Sequence, residues 1–146
     1  MDKYDSLKLE NQLCFPLYAA AREISRRYYP YLSALDLTYT QYIVMMVMWE
    51  QKEINVKDLG GKLCLDSGTL TPLLKNLEKK GFIKRSRSTS DERVLLVRLT
   101  DDGLALREKA VEIPPKMAGC VRLSKDDAAT LYRILYQIIG SDGEEK

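Results

Sequence analysis

A mainly α fold with a small β-hairpin, a winged helix-turn-helix between long N- and C-terminal dimerisation helices, is predicted by three observations. A short helical stretch, a tight break and a second helical stretch follow one another over residues 55 to 80. A basic segment with a polar tip comes next and reads as a hairpin. Both ends of the chain carry apolar residues at helical spacing. The 146 residues suffice for one domain and a reasonable core.

The elements follow in order. Residues 7 to 28 read as a helix, with Leu9, Leu13, Leu17, Ala20 and Ile24 at three- and four-residue steps. Pro16 is expected to bend it, and "YYPYL" to break it near Pro30. Residues 38 to 51 form a buried helix that Thr38 or Thr40 can cap. A short helix spans 55 to 63, and after "CLDSG" a longer one runs to Lys80 with Asp66 or Ser67 as cap. Pro72 implies that this helix is bent there or starts nearer Thr69. Its Leu70, Leu74 and Leu77 make one stripe, and Gly68, Thr71, Pro72, Lys75, Asn76 and Lys79 lie opposite. Gly81 stops it. Strands near 82 to 87 and 93 to 99 flank the tip "SRSTSDE". Thr100, Asp101 and Asp102 start a further helix that Pro114 and Pro115 interrupt or end. Ser124 and Asp127 start the last one, striped by Leu131, Ile134, Leu135, Ile138 and Ile139. Residues 37–100 thus make the winged region, and 1–36 and 101–146 hold the terminal helices, which a small domain could spread into a dimer as dimerisation helices.

Composition narrows the function. The chain has no histidine, which removes the usual general base of Ser and Cys hydrolases. Cys14, Cys64 and Cys120 are odd in number and widely spaced, so neither a disulfide scaffold nor a metal site is expected. No cofactor is implied. "YIVMMVMW" is too short to cross a bilayer, and "MDKYDSLKLE" has no signal-peptide core, so a cytoplasmic protein without a membrane partner is expected. Net charge is +2, but residues 75 to 98 hold eight basic against three acidic residues, leaving −3 for the rest. A local basic stretch on a polar-faced helix and hairpin fits double-stranded DNA, with the second helix in the major groove and the wing reaching the minor groove. The competing interpretation is a solvated face on a helical domain.

"DSGTLTPLLKNLEKKGFIKRSRSTSDER" with "LTDDG" resembles the MarR family of winged-helix repressors. "KLENQLCFPLYAAAREI" and "LTYTQY" resemble its OhrR-type branch, the organic-hydroperoxide sensors. The likeness runs from about Lys8 to about Ile113. It implies a homodimer on an inverted-repeat operator, and not an enzyme. It places Asp66, Ser67, Thr69 and Thr71 near bases and phosphates, with Lys75 on the same face. It inserts Arg93 in the minor groove, held by Asp91, while Arg85 and Arg87 touch phosphates. It makes Cys14 the peroxide-sensing thiol, stabilised by Tyr28 and Tyr39, and matches Cys120 to the resolving cysteine of the two-cysteine sensors, supplied by the other subunit; in the one-cysteine sort a small external thiol caps Cys14 instead.

The residues themselves leave Cys14 open. A cysteine in an apolar stripe is commonly a core filler, whereas a sensor thiol needs a lowered pKa and access to oxidant. Tyr18 lies one turn on, on the same face, and seven of nine tyrosines fall in the first 42 residues. Core packing competes for Tyr29, Tyr31 and Tyr42, and Cys64 is expected in the core. Tyr28 is about 21 Å along a straight helix from Cys14, so the partner subunit must supply it or the helix must bend sharply. Two other functions stay open. One is a repressor released by a small apolar or phenolic ligand, with Cys14 inert. The other is a thiol peroxidase turning over at Cys14.

Overall fold

The computed structural model describes residues 2 to 144. Two single 3-10 turns, Asp5–Leu7 and Leu9–Asn11, precede α1, Cys14–Ser33. The start predicted at residue 7 is therefore corrected. The side chains of Asn11 and Gln12 reach back to the carbonyls of Asp5 and Ser6, at 2.7 and 2.6 Å, and hold the entry out of helical geometry. Pro16 consequently falls in the first turn, where an amide has no intrahelical partner to lose. The break near Pro30 is also corrected, because α1 continues through it to Ser33. That proline costs one backbone bond, in the last turn only.

Helix α2, Tyr39–Gln51, starts in a reciprocal capping box: Gln41 N–H donates to Thr38 Oγ1 at 3.2 Å, and Thr38 N–H to Gln41 Oε1 at 3.0 Å. Strand β1, Glu53–Asn55, leads into α3, Val56–Leu63, whose cap is Asn55. Cys64 ends α3 in the left-handed region, at φ 55°, and is exposed rather than in the core as expected. As a C-cap it lies outside the buried face of the helix. Gly60 lets the turn close: a Cβ there would sit 2.8 Å from the Leu65 carbonyl oxygen.

Helix α4, Ser67–Lys79, begins at Asp66 and passes through Pro72. Its Leu70, Leu74 and Leu77 are buried, and with Met45, Met48, Leu59, Ile83 and Val97 they make the core. Each fully buried side chain of this kind contributes about 1.5–3 kcal/mol. Gly81 turns the chain at φ +85° into β2, Ile83–Arg87, which pairs with β3, Leu95–Leu99. The antiparallel sheet runs β1-β3-β2, with Ile54 opposite Val97 and Arg85 opposite Val97 on the other side. No third strand was expected.

Helix α5, Asp101–Ala110, is capped by Thr100, whose hydroxyl accepts from Gly103 N–H at 3.0 Å and donates to the Gly81 carbonyl at 2.6 Å. Trp49 Nε1 donates to the Gly103 carbonyl at 2.8 Å, locking α5 to α2. Pro114 and Pro115 fall in the first turn of α6, Ile113–Ala118, so they interrupt the helical run as expected. The chain divides into two compact units, one ending at Pro114 and one beginning at Pro115. Thus α1 and α5 share a unit with the winged region. The second unit carries α7, Lys125–Glu144, started by Asp127 N–H donating to Ser124 Oγ at 3.1 Å. No helix of the described residues is long and apolar enough to cross a membrane.

Candidate nucleic-acid interface and thiol site

The interface begins with α4 and its caps. Asp66 accepts from Thr69 N–H at 2.7 Å, and that bond holds its carboxyl below the usual carboxylate range. Its negative charge therefore sits at the positive end of the helix and serves the helix first. Ser67, Thr69 and Lys75 are exposed along α4, and Thr71 is half-buried with its hydroxyl bonded to the Ser67 carbonyl at 2.8 Å.

The wing is fastened to this helix by Glu78. Its carboxylate accepts from Arg85 N–H at 2.7 Å and pairs with the Arg85 guanidinium at 3.1 Å, which keeps the Glu78 carboxyl low. Arg85, expected at a phosphate, is thus already engaged. Arg87 is exposed further along β2. Beyond it, Ser88 N–H donates to the Val94 carbonyl at 2.8 Å and closes the tip. Asp91 accepts from Arg93 Nε at 3.1 Å, from Arg93 Nη2 at 3.2 Å and from Arg93 N–H at 3.0 Å. The Asp91–Arg93 pair named from the sequence is therefore formed. Asp91 is held low by that guanidinium, and the Arg93 side chain is 91% exposed. A carboxylate fixing one edge of a guanidinium at a loop tip orients the remaining N–H donors outward.

The thiol region lies on α1. Cys14 is its first residue and is exposed, amid exposed Leu13, Phe15, Leu17 and Tyr18. Leu13 is 87% exposed, so the apolar stripe of this helix is bare in the single chain. The Tyr18 ring lies under the Arg22 guanidinium, 5.6 Å from its centroid. Tyr28 and Tyr39 are brought together across α1 and α2, with ring centroids 5.0 Å apart, and Tyr42 joins them at 5.8 and 6.3 Å. Burial raises the hydroxyl pKa of all three, so the phenols remain neutral donors. Tyr42 is core, as its competing interpretation had it, while Tyr29 is exposed. Because α1 is continuous from Cys14 to Ser33, Cys14 and Tyr28 of one chain lie about 21 Å apart and do not meet. Cys120, in the second unit, is half-buried, with its thiol 3.6 Å from the Lys116 carbonyl oxygen. Among the described residues no group of His, Cys, Asp and Glu could hold a metal ion.

Glu78, Gln41 and Lys80 were not singled out from the sequence. Only Gln41 had a usable signal, the spacing Thr38-x-x-Gln41 of a capping box.

The profile described as "Transcriptional regulator SarA/Rot" matches residues 26–110, more than half of the chain. The organic hydroperoxide resistance transcriptional regulator of Bacillus subtilis is 48% identical over 138 residues, covering 94% of each chain. A structure of reduced AbfR bound to DNA is 35% identical, with a TM-score of 0.78 over 96% of this chain and 98% of that one. A structure of disulfide-formed AbfR is 35% identical, with a TM-score of 0.66 over 94% and 96%.

Proposed function

The chain belongs to the SarA/Rot family of MarR-like winged-helix transcriptional regulators, and from that premise we propose that it is a homodimeric repressor released from DNA by organic hydroperoxides. The dimer binds an inverted repeat in double-stranded DNA. Ser67, Thr69, Thr71 and Lys75 of α4 enter the major groove, and Arg93, oriented by Asp91, enters the minor groove. Arg87 meets phosphate. Asp66 and Arg85 act mainly by holding α4 and the wing in place.

The observation that carries the sensing half is the exposed Cys14 thiol at the start of α1, within an exposed apolar strip. Such surroundings suit an organic oxidant, and a second subunit would cover them. The Cys14 sulfur attacks the distal oxygen of the hydroperoxide. An S–O bond forms, the O–O bond breaks, and the alkoxide takes a proton and leaves as the alcohol. Tyr28 and Tyr39, from the partner subunit, donate hydrogen bonds in that step. The partner subunit's Cys120 then attacks the sulfenic sulfur: an S–S bond forms and water leaves. Closing that bond requires the two Cα atoms at about 5.5 Å. The sequence likeness to a hydroperoxide-resistance regulator and to a protein with a disulfide form supports this reading.

Operator binding with and without cumene hydroperoxide tests it. Wild type should be released, while Cys14→Ala should bind and stay bound. Tyr28→Phe and Tyr39→Phe should each slow oxidation about tenfold, as loss of one donor to a charged group would. Non-reducing electrophoresis should show a covalent dimer that Cys14→Ser and Cys120→Ser both abolish. Release of Cys14→Ala at the wild-type dose would overturn the sensor assignment.

A further inference from the structure

Three elements meet at one amine. Lys80 is the C-cap residue of α4. Its ammonium donates to the Asp36 carbonyl and, at 3.2 Å, to Gln41 Oε1, and it lies 3.5 Å from the Asp36 carboxylate. Two hydrogen-bond acceptors and one ion-pair partner thus face the ammonium, on a side chain only 22% exposed. Asp36 occupies the turn between α1 and α2, in the left-handed region at φ 55°. Gln41 is a buried polar residue, 4% exposed. The oxygen that receives Lys80 also receives Thr38 N–H at 3.0 Å, the bond that starts α2. The first residue of α2 is Tyr39, whose ring packs on Tyr28.

We propose that Lys80 is the positioning residue that couples the Tyr28–Tyr39 pair to the recognition helix. This rests on Cys14 acting as the peroxide sensor. When oxidation disturbs the tyrosines, the start of α2 shifts, and Gln41 Oε1, fixed there by Thr38 N–H, shifts with it. A half-buried ammonium cannot stay behind without losing its acceptors, which is costly. The C-terminal end of α4 therefore follows. The leucine core between α4 and α2 holds the helix in place but lacks direction. The two hydrogen bonds of Lys80 are directional and have discrete alternatives. Lys80 is turned toward the α1–α2 turn and needs no contact with DNA for this role.

Lys80→Met keeps the aliphatic stem and deletes the donors, whereas Lys80→Arg keeps charge and donors. For each, with wild type beside them, the urea midpoint, the rate of Cys14 thiol loss to cumene hydroperoxide, and the operator affinity before and after oxidation are measured. Lys80→Met should oxidise at the wild-type rate and bind the operator, when reduced, within about threefold of wild type. Its fall in affinity on oxidation should be about tenfold smaller, within the ordinary range of a coupling between sites. Lys80→Arg should recover most of that difference. Should Lys80→Met fail to fold, Asp36→Asn, which removes the carboxylate charge beside the amine, should shrink the fall in the same direction. A fall equal to that of wild type in Lys80→Met, or in Asp36→Asn where only the latter folds, overturns the proposal even if stability is lower. If wild type itself keeps its operator after full oxidation of Cys14, the sensor assignment fails and the coupling with it.

Discussion

Replacing Gly103 with alanine should unfold this protein at markedly lower denaturant. An added Cβ would stand 2.2 Å from the Phe82 carbonyl oxygen and 2.7 Å from Leu99 Cδ1, where ordinary contact begins at 3.4 Å. The obstacle at Phe82 is backbone, so the first turn of α5 must retreat by about 1 Å. That same turn receives Trp49 Nε1 at 2.8 Å and sends Gly103 N–H to Thr100 Oγ1 at 3.0 Å. Overpacking of this kind costs about 1–3 kcal/mol, and a strained or lost hydrogen bond adds about 1 kcal/mol. The total is about 3 kcal/mol. With a denaturant slope of about 2 kcal/mol/M, the urea midpoint should fall by about 1.5 M. Wild type and variant are compared at one protein concentration, so that any subunit association enters both equally. Gly61→Ala is the control: an added Cβ there meets nothing within 4 Å, and the midpoint should hold or rise. A fall below about 0.5 M for Gly103→Ala would refute the claim that this glycine is required by close backbone approach.

Two further outcomes are expected. Arg93→Ala should weaken operator binding strongly at A·T-rich flanks, whereas Arg87→Ala should lower the salt slope by about one unit without changing sequence preference; titrations at several salt concentrations separate them, and unchanged affinity in Arg93→Ala excludes the wing insertion. Glu78 is held below its ordinary 4.5, first by Arg85 N–H and then by the Arg85 side chain. A depressed carboxyl contributes stability above its unfolded pKa and loses it as pH falls through the folded one. The wild-type acid limb should therefore be steeper below about pH 5 than that of Glu78→Gln, and identical limbs in acid unfolding would show the link to be idle.

The caps were legible because their chemistry is local. Thr38, Asp66, Thr100 and Ser124 each stand where a hydroxyl or carboxylate meets a helix start, and Gly81 where a helix must stop. Strand β1 was not legible, since three residues cannot display alternation. The start of α1 was misplaced because Leu9 and Leu13 keep a helical spacing through the 3-10 turns, and those turns are set by Asn11 and Gln12 side chains. Pro30 was read as a break because a proline says nothing about how many turns follow it. Cys64 was assigned to the core from its apolar neighbours, yet its backbone conformation as a C-cap turns it out. Tyr28 and Tyr39 are eleven positions apart, and only the packing of α1 on α2 joins them. The contacts of Lys80 are longer in range still: 44 and 39 residues separate it from Asp36 and Gln41.

Strand β2 pairs with β3 along one side and occupies the outer position of the sheet. Of its five residues Lys84, Arg85 and Arg87 are basic. An open strand edge is a template for a stray strand, and rows of like charge are what natural sheets use to repel one. These cations therefore guard this edge against joining its own kind. Stripping them to abolish operator binding would expose a sticky border, and lost binding in such variants has to be told apart from protein lost to self-association.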